Sequence, residues 1–343
     1  MLRLALIGCG GISQMHRERF PALADRMRVS VTADIDADRA RQAAEDVGAD
    51  LWVTDYEEAI QHCDAALIAL PHHLHHAAGM AFLEGGKHVL MEKPLANTDV
   101  QCLELIGAAR RARRTLMVAY CMRYHPLVLA LKEAMVTGQY GEAFRVSIWT
   151  EQLTEVAPDH WAADPEKLGG GQLFSHGCHY VDLLLYYLGR PVIGSHLGTN
   201  LGTPWMAREG TSDLLLKFEG GAVGYHGATW GARGSLLGYS IHAHTDHGML
   251  EADISHGRLS FLKAGEETLL LECGPLSKYG DREMAHFLDC IETGATPITD
   301  GPDSVHGLRV IWRVYEAEKQ GKVADLHGLG LKQAARRPVT REP

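Results

Sequence analysis

Short apolar runs alternate with helix-like segments over the first third of the chain. The apolar runs are Leu2–Ile7, Val29–Ala33, Ala65–Leu70, His88–Met91 and Leu116–Ala119. Each run is continuous rather than alternating, which is the pattern of a parallel strand buried on both faces. Because helical patterns fill the intervals, the sequence predicts βαβ units and an N-terminal, doubly wound α/β domain over residues 1–120.

The pattern changes after about Tyr120. Apolar and polar positions then alternate in Phe144–Thr150, Thr211–Phe218, Ala222–Tyr225, Ser240–His244 and Arg258–Leu262. Alternation is typical of strands with one solvated face. One helix is predicted over 173–188, and two closing helices over 281–293 and 303–319. We therefore expect a C-terminal α+β domain at 121–331 with an open, mostly antiparallel sheet, and a flexible tail at 332–343.

Composition and charge exclude several classes of protein. The 343 residues include 33 Lys and Arg against 43 Asp and Glu, for a formal net charge of -10, whereas nucleic-acid binders are usually basic. The seven cysteines are scattered without a C-x-x-C pair, which favours a reducing compartment. No apolar stretch is long enough for a membrane span. We expect a cytoplasmic protein that binds neither nucleic acid nor membrane.

The turn after the first predicted strand has the composition of a phosphate-binding loop. It reads Gly8-Cys9-Gly10-Gly11-Ile12-Ser13, with Ser13 in the third position of the G-x-G-x-x-G motif. Between a strand and a helix, such a Rossmann turn holds a dinucleotide pyrophosphate. Asp34 ends the second strand, where an acidic residue bonds the adenosine ribose, whereas Asp36 is better placed to cap the next helix. Since a carboxylate repels a 2′-phosphate, we expect NAD(H) to be favoured over NADP(H).

Three later motifs carry a family resemblance. They are Pro71-His72-His73-Leu74-His75, Gly86-Lys87-His88-Val89-Leu90-Met91-Glu92-Lys93-Pro94, and Gly169-Gly170-Gly171-Gln172-Leu173-Phe174-Ser175-His176-Gly177-Cys178-His179-Tyr180-Val181-Asp182. With the glycine turn, they resemble segments of the Gfo/Idh/MocA family of nicotinamide-dependent sugar and cyclitol oxidoreductases. The resemblance implies a dinucleotide domain followed by a domain whose open sheet is often used for dimer or tetramer contacts.

The resemblance also implies roles for individual residues. Lys93 and His179 would lie at the reacting carbon, where a histidine suits proton abstraction and a lysine can stabilise alkoxide charge. The segment with Pro71, His72 and His75 would lie along the cofactor. Glu92 would bond either the nicotinamide ribose or Lys93.

Candidate substrate-binding residues follow from the same resemblance and from spacing. Ser175 stands where the family has an aspartate, so an ordinary inositol or glucose dehydrogenase is not expected. Ser175, His179 and Asp182 are spaced to share one helix face. His176 would contact either the substrate or a neighbouring subunit. Trp161 is a further candidate, which would either pack near the nicotinamide or anchor its loop. Tyr120 and Arg123 would line the wall of the cofactor or the substrate. The clustered histidines at 72–76 lack a paired carboxylate motif, so we expect no metal site.

The function expected from these features is hydride transfer between nicotinamide and a secondary alcohol or ketone of a sugar, a sugar derivative or a cyclitol. The substrate would be small and polyhydroxylated, and the protein a homodimer or homotetramer through its C-terminal sheet. Two alternatives remain open at this point: a non-catalytic nucleotide-binding regulator, and a redox-neutral NAD-dependent glycoside hydrolase.

Overall fold

A six-stranded parallel sheet organises the first part of the chain. In the computed structural model, which describes residues 1–274 and 280–331, the strands are β1 Leu2–Ile7, β2 Met27–Ala33, β3 Leu51–Val53, β4 Ala65–Ile68, β5 His88–Met91 and β6 Leu116–Val118. Their spatial order is β3-β2-β1-β4-β5-β6. This is the Rossmann order, in which the strand sequence reverses beside β1 and ligands bind at the carboxyl ends. The predicted parallel α/β domain is confirmed.

Five helices accompany these strands, and local signals fix their ends. They are α1 Gly11–Arg17, α2 Ala37–Val47, α3 Tyr56–Ala59, α4 His75–Glu84 and α5 Asp99–Ala112. The Asp36 side chain caps α2 by accepting from Asp38 N and Arg39 N, and Gly48 ends it in a left-handed conformation with φ 66°. Asp36 therefore has the capping role that the sequence predicts.

The compact unit built on this sheet includes a distant part of the chain. It comprises residues 1–124, 166–169 and 280–305, and we call it the first unit. Helix α10 Gly280–Thr293 contributes Met284, Phe287 and Leu288 to the same buried cluster as Leu6 and Met117. The backbone of Val118 also donates to Thr299 O at 2.9 Å. The core of the first unit thus depends on residues that follow more than half of the chain.

A nine-stranded mixed sheet organises the remaining residues, the second unit. Its strands are β7 Ala143–Glu151, β8 Pro191–Thr199, β9 Thr211–Phe218, β10 Val223–Thr229, β11 Tyr239–Thr245, β12 Met249–Asp253, β13 Arg258–Lys263, β14 Glu266–Glu272 and β15 Ala324–Asp325. Their order is β14-β13-β12-β11-β7-β10-β9-β8-β15. Strands β7 and β10 pair in parallel, and every other neighbouring pair is antiparallel. The predicted open, mostly antiparallel sheet is confirmed.

The second sheet buries one face and leaves the other open. Along β9, Ser212, Leu214, Leu216 and Phe218 are buried and alternate with more exposed residues. The remaining α-helices of the described residues are α6 Pro126–Thr137, α7 Pro165–Leu168, α8 Gln172–Ser175, α9 Cys178–Leu188 and α11 Gly301–Lys319. In the parts of the chain that the structure describes, no helix is both long and apolar enough to cross a membrane.

The single helix predicted over 173–188 is wrong. The structure has two helices there, α8 and α9, separated at His176 and Gly177. A Cβ on Gly177 would lie 2.6 Å from Leu173 O, so only glycine fits this close approach. The predicted common face of Ser175, His179 and Asp182 is therefore wrong for Ser175, which belongs to the preceding helix. The tail at 332–343 lies outside the described residues.

Candidate functional site

The glycine turn between β1 and α1 has the geometry of a phosphate cradle. Gly8 has φ +89°, and a Cβ there would lie 2.4 Å from Ala69 O. At Gly10 and Gly11 a Cβ would meet nothing within 4 Å, so the space above the turn is open. No side chain caps the first backbone N–H groups of α1. Ser13, in the place of the third glycine, donates from Oγ to Gly10 O at 2.6 Å.

The carboxylate of Asp34 is fixed at the end of β2, beside this turn. Its Oδ2 accepts from Cys9 N at 2.8 Å and its Oδ1 accepts from Asp36 N at 2.9 Å. The next residue, Ile35, is 93% exposed, an apolar surface that sequence reasoning did not single out. The Arg39 guanidinium lies 3.3 Å from the Asp36 carboxylate. The turn, the carboxylate and the exposed apolar side chain together suit the pyrophosphate, ribose and adenine of a dinucleotide.

Lys93 follows the carboxyl end of β5, and both of its neighbours in the chain, Glu92 and Pro94, are hydrogen-bonded to other segments. The preceding Glu92 is buried, and its Oε1 lies 2.8 Å from Nε2 of His16, on α1. The other oxygen of Glu92 accepts from Lys93 N at 3.1 Å. Lys93 itself is half-buried, and the Lys93–Pro94 peptide bond is cis. The pair between His16 and Glu92 therefore joins the helix of the glycine turn to the segment that carries the lysine.

The histidines after β4 pack against this segment. His75 is fully buried, with Nδ1 2.7 Å from Pro94 O and Nε2 2.8 Å from Leu70 O. Burial lowers the pKa of His75, although both carbonyl oxygens oppose that shift. His72 lies 2.9 Å from Leu168 O, and burial, followed by the charges of His75 and Lys93, lowers its pKa well below the ordinary value. Both rings are held by backbone carbonyl groups and form fixed walls beside this segment.

Two other predicted wall residues of the first unit follow β6. Tyr120 is 1% exposed. Arg123 is also buried, and its Nη2 lies 3.1 Å from Oδ2 of Asp303. The guanidinium thus has an internal carboxylate partner, which the sequence did not reveal because the two residues are far apart in the chain.

In the second unit, close contacts explain the consecutive glycines before α8. A Cβ on Gly170 would lie 2.4 Å from Cβ of Phe174, and one on Gly171 would lie 2.2 Å from the Glu209 carboxyl group. The Tyr315 hydroxyl accepts from Gly171 N and from Phe174 N, each at 3.2 Å, and donates to Glu209 Oε1. Burial raises the pKa values of both Glu209 and Tyr315.

Tyr315 and Glu209 therefore hold the start of the segment that carries the candidate substrate residues. Gln172 N also donates to Glu209 O at 2.7 Å. Sequence reasoning missed both residues. Tyr315 gives a weak signal, as a polar group in an apolar helical pattern, and Glu209 gives none, since the contacts themselves are long-range.

Ser175, His176 and His179 lie together in the second unit, all with less than 9% exposure. The ring centroids of His176 and His179 are 6.2 Å apart, in an edge-on arrangement. Asp182, one turn further along α9, is also buried. Trp161 is half-buried in a short 3-10 helix at Trp161–Ala163, and its ring lies 5.5 Å from that of His160.

Both ring nitrogens of His176 have hydrogen-bond partners. Gln152 Nε2 donates to Thr154 Oγ1 at 2.7 Å, so its Oε1 accepts from the Tyr239 hydroxyl. Because that hydroxyl has given its only proton, it accepts from Nε2 of His176 across 3.4 Å. Nδ1 of His176 in turn accepts from Gln172 Nε2 at 3.4 Å. The His176 ring is therefore held between Gln172 and Tyr239.

Each unit carries its own set of candidate groups. The first unit carries the glycine turn and Lys93. The second unit carries two buried histidines among serine, tyrosine and glutamine side chains. The second set can bond hydroxyl groups and accept a proton. Among the described side chains, no group of three or more His, Cys, Asp or Glu residues is arranged to hold a metal ion.

Two family models together match most of the chain. The model described as an oxidoreductase family with an NAD-binding Rossmann fold matches residues 2–120. The Gfo/Idh/MocA C-terminal domain model matches residues 128–251.

Curated relatives match over nearly their full length. The D-xylose 1-dehydrogenase (NADP(+)) 2 of Haloferax volcanii is 27% identical over 95% of this chain and 100% of its own. The scyllo-inositol 2-dehydrogenase (NAD(+)) of Bacillus subtilis is 25% identical over 90% and 92%, respectively.

Solved structures share the fold across both units. Levoglucosan dehydrogenase in complex with NADH and levoglucosan matches with a TM-score of 0.86 at 21% identity, over 95% of this chain and 99% of its own. The aldose-aldose oxidoreductase of Caulobacter crescentus, complexed with glycerol, matches with a TM-score of 0.83 at 22% identity over the same shares. With family models matching both its N-terminal and its C-terminal parts, the chain belongs to the Gfo/Idh/MocA family of oxidoreductases.

Proposed function

We propose that this protein transfers a hydride between NAD(H) and a secondary alcohol or ketone of a polyhydroxylated ring. Its family makes it an NAD(P)-dependent dehydrogenase or reductase of CH–OH groups. The proposal concerns the substrate class, the cofactor preference and the residues that handle the proton. The observation that carries it is the fixed position of Lys93, between a buried Glu92 bonded to His16 and a Pro94 carbonyl bonded to His75.

The chemistry assigned to this chain is proton transfer and charge stabilisation. A bound nicotinamide would accept or supply the hydride. In alcohol oxidation, the His179 imidazole takes the hydroxyl proton, and the Lys93 ammonium stabilises the negative charge that develops on the oxygen. In ketone reduction, the same groups return the proton. Ser175, His176 and Trp161 contact the ring or its hydroxyl groups, together with Tyr120 and Arg123.

A sugar, a sugar derivative or a cyclitol is the substrate class that suits these groups. Hydroxyl-rich ligands need several donors and acceptors in one place, and the second unit places Ser175, Gln152 and Tyr239 near buried histidines. The relatives named above act on a pentose, an inositol and an anhydrosugar.

NAD(H) is the cofactor that Asp34 favours. A 2′-phosphate beside this fixed carboxylate would experience like-charge repulsion. The nearby Arg39 and Arg41 lie beside Asp36 and Asp38, so they provide little positive charge for such a phosphate.

Calorimetric titration with NADH and NADPH tests the preference. We expect NADH to bind at micromolar concentration and NADPH at least about tenfold more weakly. In Asp34→Ala the difference should shrink. Tighter binding of NADPH by the unmodified protein would contradict the role of Asp34.

Two variants test the catalytic assignment. Lys93→Ala and His179→Ala should each lose most turnover on a polyol panel that includes D-xylose, scyllo-inositol and levoglucosan, while cofactor binding is retained. The exposed Lys263 provides a matched control, since Lys263→Ala should keep full turnover. Wild-type kcat in either site variant would remove that residue from the mechanism.

We also propose that a second copy of the chain covers the open face of the second sheet. The apolar side chains of Leu215 and Leu197 are 51% and 71% exposed on neighbouring strands β9 and β8. Light scattering should give a homodimer or homotetramer, and Leu215→Lys should shift it toward the monomer. A monomeric unmodified protein would refute this assembly.

A further inference from the structure

A cavity lies at the opposite edge of the parallel sheet from the glycine turn. It has a volume of about 530 Å³ and opens beside His88, the first residue of β5, and Leu116, the first residue of β6. The glycine turn follows the carboxyl end of β1, whereas this cavity is at the amino ends of the strands. Nothing in the proposed reaction uses it.

The cavity has an excess of positive charge. Its lining includes Arg110, Arg113 and Arg114, and the only acidic lining residue is Asp300. Oδ1 of Asp300 already accepts from Asp303 N at 2.7 Å. No carboxylate within 1–274 and 280–331 pairs with the three guanidinium groups, whereas four other arginines of this unit, Arg3, Arg17, Arg26 and Arg28, do pair with carboxylates. The concentration of unneutralised charge is notable in a chain of net charge -10.

The backbone at Arg113 gives an independent indication. Arg113 has φ 54°, and within the described chain only Arg113 and Ala264 adopt positive φ without being glycine. This conformation is unfavourable for a residue with a Cβ, and glycine is usual at this position after a helix. The backbone alone closes the end of α5, since Arg113 N donates to Arg110 O and Arg114 N to Ala109 O. The helix end therefore gives no reason for an arginine side chain here.

The neighbouring polar groups are oriented as donors. Nδ1 of His88 accepts from Thr115 N at 3.0 Å, so the ring proton is on Nε2. Burial, followed by the charge of Arg114, lowers the pKa of His88 to about 4, which keeps the ring neutral at pH 7. Arg114 is anchored through Nε, which donates to Gly86 O at 2.5 Å. Thr296 also lines the cavity.

We propose that this cavity binds a small organic anion, with Arg110, Arg113 and Arg114 holding its phosphate or carboxylate groups. The planar guanidinium fork matches either group with two parallel hydrogen bonds. Apolar side chains of the lining, among them Ile106, Leu116 and Pro297, suit the carbon skeleton of such a ligand. The volume is in the range of small-molecule sites. The proposal is independent of the hydride-transfer reaction.

Calorimetric titration of the full-length protein tests the site, with pyrophosphate and citrate as probes and NADH present to fill the glycine turn. We expect one site, weakened at least tenfold in Arg110→Gln and in Arg113→Gln. Arg111→Gln is the matched control, because Arg111 lies on the same helix end outside the cavity, and it should bind as the unmodified protein does. Tighter binding of pyrophosphate identifies a phosphate ligand, and tighter binding of citrate identifies a polycarboxylate.

The variant Arg113→Gly separates binding from folding. Glycine relieves the left-handed conformation, so its Tm should rise while anion binding weakens at least tenfold. The proposal is overturned if neither probe binds at millimolar concentration, if Arg111→Gln weakens binding as much as Arg110→Gln, or if added NADH displaces the probe. Unchanged anion affinity in Arg113→Gly would equally overturn it.

Discussion

The hydroxyl group of Tyr315 makes three hydrogen bonds in the second unit, so the loss of stability on removing it can be calculated. It accepts from Gly171 N and Phe174 N, each at 3.2 Å, and donates to the half-buried Glu209 carboxyl group. Tyr315→Phe deletes this one oxygen and leaves the ring in place. Two buried backbone donors and one carboxyl oxygen then lose a partner at once.

The expected loss of stability follows from these three bonds. A buried polar group left without its partner costs about 1–3 kcal/mol, and local relaxation recovers part of that. Since the three groups surround one site and share any relaxation, we expect a total loss of about 2–4 kcal/mol in the free energy of unfolding.

Urea unfolding at 25 °C measures this loss from the midpoint and the m-value. Tyr140→Phe is the control, because the Tyr140 hydroxyl has no hydrogen bond to another part of the described chain, and it should change stability by less than about 0.5 kcal/mol. The affinity of Tyr315→Phe for NADH should stay within about twofold of that of the unmodified protein, because the glycine turn belongs to the first unit.

A loss below about 0.5 kcal/mol in Tyr315→Phe would refute the reasoning, because three polar groups would then have lost a hydrogen-bond partner at almost no cost. An equal loss in Tyr140→Phe would show that the effect comes from the ring environment rather than from the bonds to Gly171, Phe174 and Glu209.

Two further predictions concern buried histidines. His16→Ala leaves the buried Glu92 carboxylate without its partner at 2.8 Å, so unfolding in urea should show a loss of about 2 kcal/mol. Burial lowers the pKa of His226 to about 3, so below pH 6.5 the unfolded chain takes up a proton that the folded chain refuses. Stability therefore falls as the pH drops, and His226→Phe should reduce the difference between pH 7 and pH 5 by about 2 kcal/mol.

Each of these two predictions has a clear contrary result. Unchanged stability in His16→Ala would mean that the pair with Glu92 contributes nothing. An unchanged difference between pH 7 and pH 5 in His226→Phe would mean that His226 titrates alike in the folded and unfolded states.

The parallel sheet was predictable because its central strands are uniformly buried and read as continuous apolar runs. Strand β3, Leu51–Val53, escaped prediction because it is three residues long, lies at the sheet edge and has one exposed tryptophan. Strand β14 escaped for a related reason. Its residues are mostly exposed and rich in glutamate, so it lacks the alternation that identifies a half-buried strand.

The positions of motif residues in the site were predictable where those residues directly follow a strand. Gly8, Asp34 and Lys93 each follow a buried strand, and parallel strands bring their carboxyl ends to one edge. Partners such as Tyr315, Glu209 and Asp303 were not predictable, because each meets its contact through tertiary packing over a long sequence separation. The break between α8 and α9 was missed because an apolar helical pattern continues through Gly177.

The composite core of the first unit has a consequence for biosynthesis. Met284, Phe287 and Leu288 belong to the same buried cluster as strands synthesised at the start of translation. Until the ribosome has read past residue 305, the nascent first unit exposes the apolar surface that α10 later covers. A fragment that stops near residue 120 should therefore bind chaperones or aggregate. The second unit also resumes after residue 305, so neither unit is complete until residues on both sides of the other have been synthesised.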